Sequence, residues 1–252
     1  MSICQEYVDE LDCVNISSVT QTRQFWLRRG NSADRAVIQQ VFVDRDYAID
    51  SFRLSADLHR LGQRILEDGS RPLILDAGAN IGASALWFHL SFPDAKILAI
   101  EPHAGNCTLF RRNCQGIADI SLLEGAIASS SGSMELTDPG LDHWGYRVVE
   151  RASEGGVSVP VFAASELLDR CVKAGLVPFI VKIDIEGGES ELFSKSTEWV
   201  HHVPLIAIEL HDWMLPGQAN SAHFLQALTR GSFDIVWRSE NLFCFNNELL
   251  RR

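Results

Sequence analysis

Leu75-Asp76-Ala77-Gly78-Ala79-Asn80-Ile81-Gly82 is the stretch on which the reading of this chain turns. It continues the apolar run Leu73-Ile74-Leu75 and runs into a helical pattern over residues 81–90, so it reads as a strand-to-helix turn. Gly78 and Gly82 let the backbone turn tightly and approach a ligand where a Cβ would collide. Free N–H groups at the start of the following helix favour a carboxylate or a phosphate. The dinucleotide fingerprint Gly-x-Gly-x-x-Gly is matched poorly, because Asn80 takes the place of its second glycine and Ala83 that of its third.

Outward from this turn the rhythm is strand, helix, strand. Ile97-Leu98-Ala99-Ile100 reads as a second strand stopping at Glu101-Pro102, and residues 105–114 as a helix. Ile120-Ser121-Leu122-Leu123, Phe179-Ile180-Val181-Lys182-Ile183 and Leu205-Ile206-Ala207-Ile208 supply a third, fourth and fifth strand. Apolar strands separated by helices mark a parallel sheet covered on both faces. Residues 129–162 differ: Ser129-Ser130-Ser131-Gly132-Ser133, Asp138-Pro139-Gly140 and Gly155-Gly156 punctuate short alternating runs, which predicts β-hairpins or a long insertion before a helix over 163–174. The tail, 233–236 and 242–245 around Ser239-Glu240-Asn241, predicts a closing β-hairpin.

Upstream, a polar start leads to a β-like run at 36–43 and then to Leu54, Leu58, Leu61, Ile65 and Leu66, spaced for a helix with one buried stripe. Gly69-Ser70-Arg71-Pro72 breaks that pattern. The expected organisation is therefore a small helical and β addition over 1–70 and a doubly wound α/β domain over 71–252.

At 252 residues with 46% hydrophobic and 22% charged side chains, the chain can bury a core without disulfides or a structural metal. Its net charge of −11 argues against nucleic acid and anionic membrane surfaces as partners. No apolar run approaches the roughly 20 residues of a membrane-spanning helix. The start of the chain, with Glu6, Asp9, Glu10 and Asp12 and no basic residue, does not read as a secretory signal. Cysteines at 4, 13, 107, 114, 171 and 244 form no Cys-x-x-Cys pair, which suits reduced thiols and a cytoplasmic location.

The chemistry gathers at strand ends. Glu101 ends the second strand, where a carboxylate accepts hydrogen bonds from ribose hydroxyls and repels a 2′-phosphate. Gly125, Ala126 and Ile127 end the third strand, placed to hold adenine by a backbone N–H and an apolar side chain. Lys182-Ile183-Asp184-Ile185-Glu186-Gly187-Gly188-Glu189 sets a lysine and carboxylates over the crevice in which open α/β sheets bind ligands. A lysine and an aspartate within an apolar strand require a partner or a ligand. Ile208-Glu209-Leu210-His211-Asp212-Trp213 ends the fifth strand, and of the eight histidines His211 alone falls at a strand end over that crevice. A histidine oriented by a carboxylate takes a proton near neutral pH. His211 is thus the expected base, with Asp212 or Glu209 orienting it and Glu186 as second choice. A divalent metal on Asp184, Glu209 and Asp212 is the competing idea; separate strand ends fix no spacing, and no metal is assigned.

Three segments together resemble the FkbM family of S-adenosylmethionine-dependent methyltransferases: Leu75 to Gly82 followed by Ile100-Glu101-Pro102, Lys182 to Gly187 with Glu189, and Ile208 to His211. The resemblance covers residues 70–212. It implies a seven-stranded Rossmann-like fold with S-adenosyl-L-methionine as methyl donor. It further implies a donor loop of Asp76, Gly78, Asn80 and Gly82, completed by Ala79 and Ile81, a ribose acid at Glu101 beside Pro102, and Asp184 near the methionyl part. The family methylates mostly hydroxyls of sugars and secondary metabolites, and some nitrogens. An O-methyltransferase acting on a small-molecule acceptor is the expectation; an N-methyltransferase is the alternative, ahead of an NAD-dependent enzyme or a non-catalytic nucleoside-binding module. The stretch 129–162 and the N-terminal segment depart most from the family pattern, and these are the parts expected to shape the acceptor pocket. Trp144 and Trp213 are candidate faces for the acceptor, and Tyr47 a candidate cover for the donor.

Overall fold

A computed structural model describes residues 11–17, 22–137, 147–149 and 157–251. The strands are β1 (Leu11–Ser17), β2 (Thr22–Arg28), β3 (Arg71–Ala77), β4 (Lys96–Glu101), β5 (Ile120–Glu124), β6 (Ala126–Ala128), β7 (Gly132–Thr137), β8 (Arg147–Val149), β9 (Val157–Ala163), β10 (Leu176–Ile183), β11 (Leu205–Glu209), β12 (Phe233–Arg238) and β13 (Asn241–Asn246). Seven of them form one sheet in the order β12-β13-β11-β10-β3-β4-β5. The five from β5 to β11 run parallel, and β12 and β13 close the sheet as the antiparallel hairpin the tail predicts.

Side chains alternate across this sheet with period two. Ile74, Ile180, Leu205 and Ala207 enter one core layer, while Leu73, Leu75, Val181, Ile206 and Ile208 enter the other. The first layer is covered by helices Ser55–Glu67, Ala83–Ser91 and Ala104–Asn113, and the second by Ala164–Lys173 and Ala222–Leu228. The five apolar runs read as strands of the parallel sheet are strands at their expected places. The reason is that both faces are buried, so a run of aliphatic residues has no other stable use.

β6, β7, β8 and β9 form a separate four-stranded sheet in the order β6-β9-β7-β8, where the sequence predicts hairpins or an insertion. The run 36–43, expected as β-like, is instead the helix Ser32–Ile38 passing into a π-helical turn at Gln39–Val43. Local capping overrides the β-branched residues there: Asn31 Oδ1 accepts from the Asp34 N–H at 2.9 Å, and buried Asp34 accepts from the Arg28 side chain and backbone. Phe25, Leu27, Val41, Tyr47, Leu58 and Ile65 from the first 70 residues share one core layer with Ile74 and Ile97. The described cysteines are free, and no described helix is long and apolar enough to cross a membrane.

Candidate active site

The turn after β3 brings the glycine loop against the end of β10. Gly78 takes φ +77°, and a Cβ there would lie 1.7 Å from the Asp184 carbonyl oxygen, so only glycine lets the two chains meet. The Gly78 and Ala79 N–H groups both donate to the Ile100 carbonyl at 3.0 Å, and Asp184 N donates to Ala77 O at 3.1 Å. Beneath the loop, Lys182 is buried opposite Asp76 in the β10–β3 register. Its ammonium donates to Gly78 O at 2.6 Å and stands 3.4 Å from Asp76 and 3.5 Å from Asp184. Burial opposes that charge, but the carboxylates of Asp184 and Asp76 beside it hold the lysine protonated. The lysine therefore ties the loop to the strand.

A cleft opens above these strand ends, with about 690 Å³ of empty space when its solvent-open mouth is counted. Gly78, Asn80, Glu101, Pro102, Gly125, Ala126, Ile127, Asp184 and Glu186, all singled out in the sequence, line it. Asp76, Ala79, Ile81 and Gly82 do not. Asp76 is fully buried, accepting from Ser84 Oγ at 2.7 Å, while Ala79 and Ile81 pack into the core. Gly82 caps the helix Ala83–Ser91 at φ +94°, where a Cβ would press on Phe110 and Cys114 at 3.1 Å. These four shape the loop from behind, because a tight turn cannot present every residue to one side.

Glu101 is buried, and its oxygens accept from Asn80 N at 2.9 Å, His103 N at 2.9 Å and Asn106 Nδ2 at 3.2 Å. Burial raises its pKa, and these hydrogen bonds pull it back. An ionised carboxylate has about four acceptor sites, so the contacts leave roughly one for a ligand hydroxyl. Asn106, which the sequence did not single out, both orients Glu101 and lines the cleft. At the end of β5, Gly125 N donates to Glu101 O at 3.0 Å, and a Cβ on Gly125 would lie 2.4 Å from Pro160 O.

At the other end of the cleft, four carboxyl groups surround His211, which is only 1% exposed. Nδ1 bonds to Glu189 Oε1 at 2.8 Å. Nε2 stands 3.4 Å from Glu209, 3.5 Å from Glu186 and 3.7 Å from Asp184. Asp212 was expected to orient this ring, but its carboxylate instead accepts from the Ser221 N–H at 3.3 Å. The orienting residue is Glu189, itself held by Asn220 Nδ2. It lies in the Lys182 to Glu189 segment read from the sequence, yet nothing in that segment announces a partner 22 positions away.

Burial disfavours the charged imidazole, but Glu189, Glu209 and Asp184 outweigh it and push the His211 pKa up to about 11. The ring thus carries a proton at neutral pH, the opposite of what a resting base requires. Glu186, at φ +53°, is pushed up to about 8 by burial and by the charge of Asp184. Trp213 is 71% exposed, with its ring centroid 6.3 Å from that of His211. Tyr47 is buried against Phe88 with the Lys182 ammonium 5.9 Å from its ring, so it lies under the glycine loop and not over the cleft. Trp144 lies outside the described residues.

The methyltransferase FkbM domain model matches residues 76–235. The chain is 27% identical over 210 residues to hexuronic acid methyltransferase AglP of Haloferax volcanii, covering 79% of this chain and 83% of that one. It is 38% identical to methyltransferase sdnD of Sordaria araneosa over 71 residues, 27% of each chain, so that match spans about a quarter of the relative's length. Among solved structures, the S-adenosylhomocysteine-bound methyltransferase PaMTH1 of Podospora anserina aligns with a TM-score of 0.42 at 13% identity, over 84% of this chain and 87% of that chain. The cleft's chemistry is compatible with an adenosyl ligand: apolar walls at Ile100 and Ile127, a buried acid at Glu101, and a glycine that admits close approach. With the family model covering well over half its length, the chain belongs to the FkbM family of S-adenosylmethionine-dependent methyltransferases.

Proposed function

We propose that this methyltransferase acts on a hydroxyl of a small polyhydroxy acceptor, and that the acceptor sits between the donor cleft and the His211 corner. The observation that carries the reading is the continuity of the two: Asp184 and Glu186 line the cleft and also face His211 Nε2. A sugar acceptor is supported by the relative named for hexuronic acid. S-adenosylmethionine supplies an electrophilic methyl on a sulfonium that leaves as a neutral thioether, so much of what the protein must add is alignment.

Glu101 would accept from a ribose hydroxyl, Ile100 and Ile127 would flank the base, and Asp184 would face the methionyl end. The acceptor proton passes to the acidic corner, where burial raises Glu209 and makes it a readier proton acceptor than a solvated carboxylate. His211, protonated, orients the acceptor oxygen and offsets part of the carboxylate charge. The same concentration of acid favours a second reading, in which the acceptor is an amine.

A thermal-shift titration with S-adenosylhomocysteine and NAD tests the donor half. Ligand at a hundredfold excess over its Kd adds about 2.7 kcal/mol to stability. Protection by the adenosyl ligand and not by NAD is expected, and the reverse would overturn it. For the acceptor half, S-adenosylhomocysteine release is measured against neutral sugars, uronic acids and amines. Turnover confined to amines would replace O- by N-methylation.

A further inference from the structure

Aligning a sugar hydroxyl does not require four carboxyl groups around one imidazole. His211 is clamped from behind: Nδ1 is committed to Glu189, and the buried Glu189 is fixed by Asn220 Nδ2 and by the Gly187 N–H at 3.3 Å. That clamp aims Nε2 at Glu209, Glu186 and Asp184. The three oxygens stand at 3.4, 3.5 and 3.7 Å. All lie beyond the roughly 2.7–2.9 Å of a charge-assisted hydrogen bond. A ring nitrogen of a side chain 1% exposed thus faces three carboxylates at once, each farther off than a close charge-assisted partner. An imidazole whose far nitrogen is held by a carboxylate is the arrangement that orients metal-ligating histidines.

Asp184 divides its two oxygens. Oδ2 faces the Lys182 ammonium, and Oδ1 faces His211. One ligand atom each from Asp184, Glu186 and His211 lies within 4.8 Å of the others. That spread fits atoms each about 2.0–2.4 Å from a common centre.

We propose that Asp184, Glu186 and His211 bind a divalent cation of the Mg²⁺ or Mn²⁺ class, which holds the acceptor through its hydroxyls beside the donor cleft. The inference deepens the methyl-transfer reading and rests on it. Two hard carboxylate oxygens and one imidazole, with no thiolate among them, suit such a cation, and three protein ligands leave positions for acceptor oxygens. A hydroxyl on a divalent cation releases its proton more readily, as metal-bound water does. Glu209, outside the ligand set, is then the carboxylate that takes that proton. Cation binding displaces the Nε2 proton to solvent, so His211 then orients the acceptor through the cation and not by its own N–H; without a cation, the same corner is an ion-pair cluster closed on an imidazolium.

Mn²⁺ alone is titrated into the EDTA-stripped full-length chain and followed by electron paramagnetic resonance. One bound Mn²⁺ per chain is expected, with electron spin-echo modulation from a directly coordinated imidazole nitrogen. His211→Gln and Glu186→Gln should each weaken binding by about tenfold or more. His211→Gln, outside the cleft lining, should keep thermal protection by S-adenosylhomocysteine, and Glu186→Gln should keep a cooperative melting transition, which shows both variants folded. No Mn²⁺ bound at millimolar concentration, binding without the nitrogen modulation, or affinity unchanged in both variants overturns the proposal. Undiminished methyl transfer in EDTA also overturns it and leaves the methyltransferase reading standing. Mn²⁺ binding with the nitrogen signature in a chain that S-adenosylhomocysteine does not protect supports the cation site and sinks the donor reading.

Discussion

The two ends of the parallel sheet carry similar residues to different purposes. At the amino ends of β3, β4 and β5, Arg71 and Lys96 meet Asp119 at 3.0 and 2.5 Å, and Arg71 also donates to Asp94 O at 2.9 Å. Two cations there serve one acid, all three side chains are partly solvated, and hydrogen bonds from Arg71 and Lys96 hold the Asp119 carboxyl well down, at about 2. At the carboxyl ends, acids outnumber cations and are buried, and burial drives Asp76, Glu101, Glu186 and Glu209 upward. Stability alone would arrange charges as the amino end does, since desolvated carboxylates oppose folding unless fully paired. On the function proposed above, the unequal arrangement lies where a ligand and a reaction would use it.

The largest break in this contrast is expected from Gly78→Ala. The added methyl would lie 1.7 Å from a backbone oxygen at φ +77°, so Asp184 or the loop must move. Methyl transfer should fall below detection and protection by S-adenosylhomocysteine should vanish. Gly116, on the turn before β5, has φ +80° but nothing within 4 Å of its would-be Cβ. Gly116→Ala should cost only about 1–2 kcal/mol of stability, the left-handed backbone penalty, with activity kept. Equal damage from both would mean that backbone strain, and not the close approach, is what the Gly78 loop needs.

Next in size is His211→Ala, for which kcat should fall on the order of 10²–10⁴-fold while the Kd for S-adenosylhomocysteine changes by less than about threefold. Collapse of donor binding together with turnover would make His211 a scaffold residue. Asp212→Asn is its neighbour control: the carboxylate contacts the Ser221 N–H, so rates should stay near those of the unmodified chain. Glu101→Gln comes third. Replacing a charged acceptor by a neutral one should weaken donor binding by about 10–100-fold, the worth of a charge-assisted hydrogen bond, with kcat at saturating donor little changed.

The parts legible in the sequence are those set by local pattern under uniform burial. The β3, β4, β10 and β11 runs are aliphatic because both faces are covered, and the tail hairpin follows from turn residues between two apolar runs. The glycine loop was legible because close backbone approach admits few residue types. Tertiary contacts were not. Asp212 adjoins His211 in the chain, yet consecutive residues leaving a strand point apart, and the carboxylate that reaches Nδ1 comes from Glu189 on a separate helical turn. Asn106 reaches Glu101 across a helix start, and Tyr47 reaches Lys182 from the first 70 residues; neither spacing is periodic. The helix at Ser32–Ile38 was masked by β-branched residues and depends on the Asn31 cap and a buried Asp34.

The smallest effect is expected at the amino end, from Asp119→Asn. Its folded pKa lies below the ordinary value of 3.8, so the ionised form is stabilised by folding. That stability is present in full above the ordinary value and is lost as pH falls through about 2. The pairs are partly solvated, so the variant should lose only about 0.5–1 kcal/mol at neutral pH, and less at high salt. The difference in melting temperature from the unmodified chain should shrink as pH drops from 4 through about 2, below which both side chains are neutral. Activity should be unaffected, because Asp119 lies a full strand length from the cleft. A loss of donor affinity in this variant would mean that strain passes along the strands, and the two ends of the sheet could no longer be treated as independent.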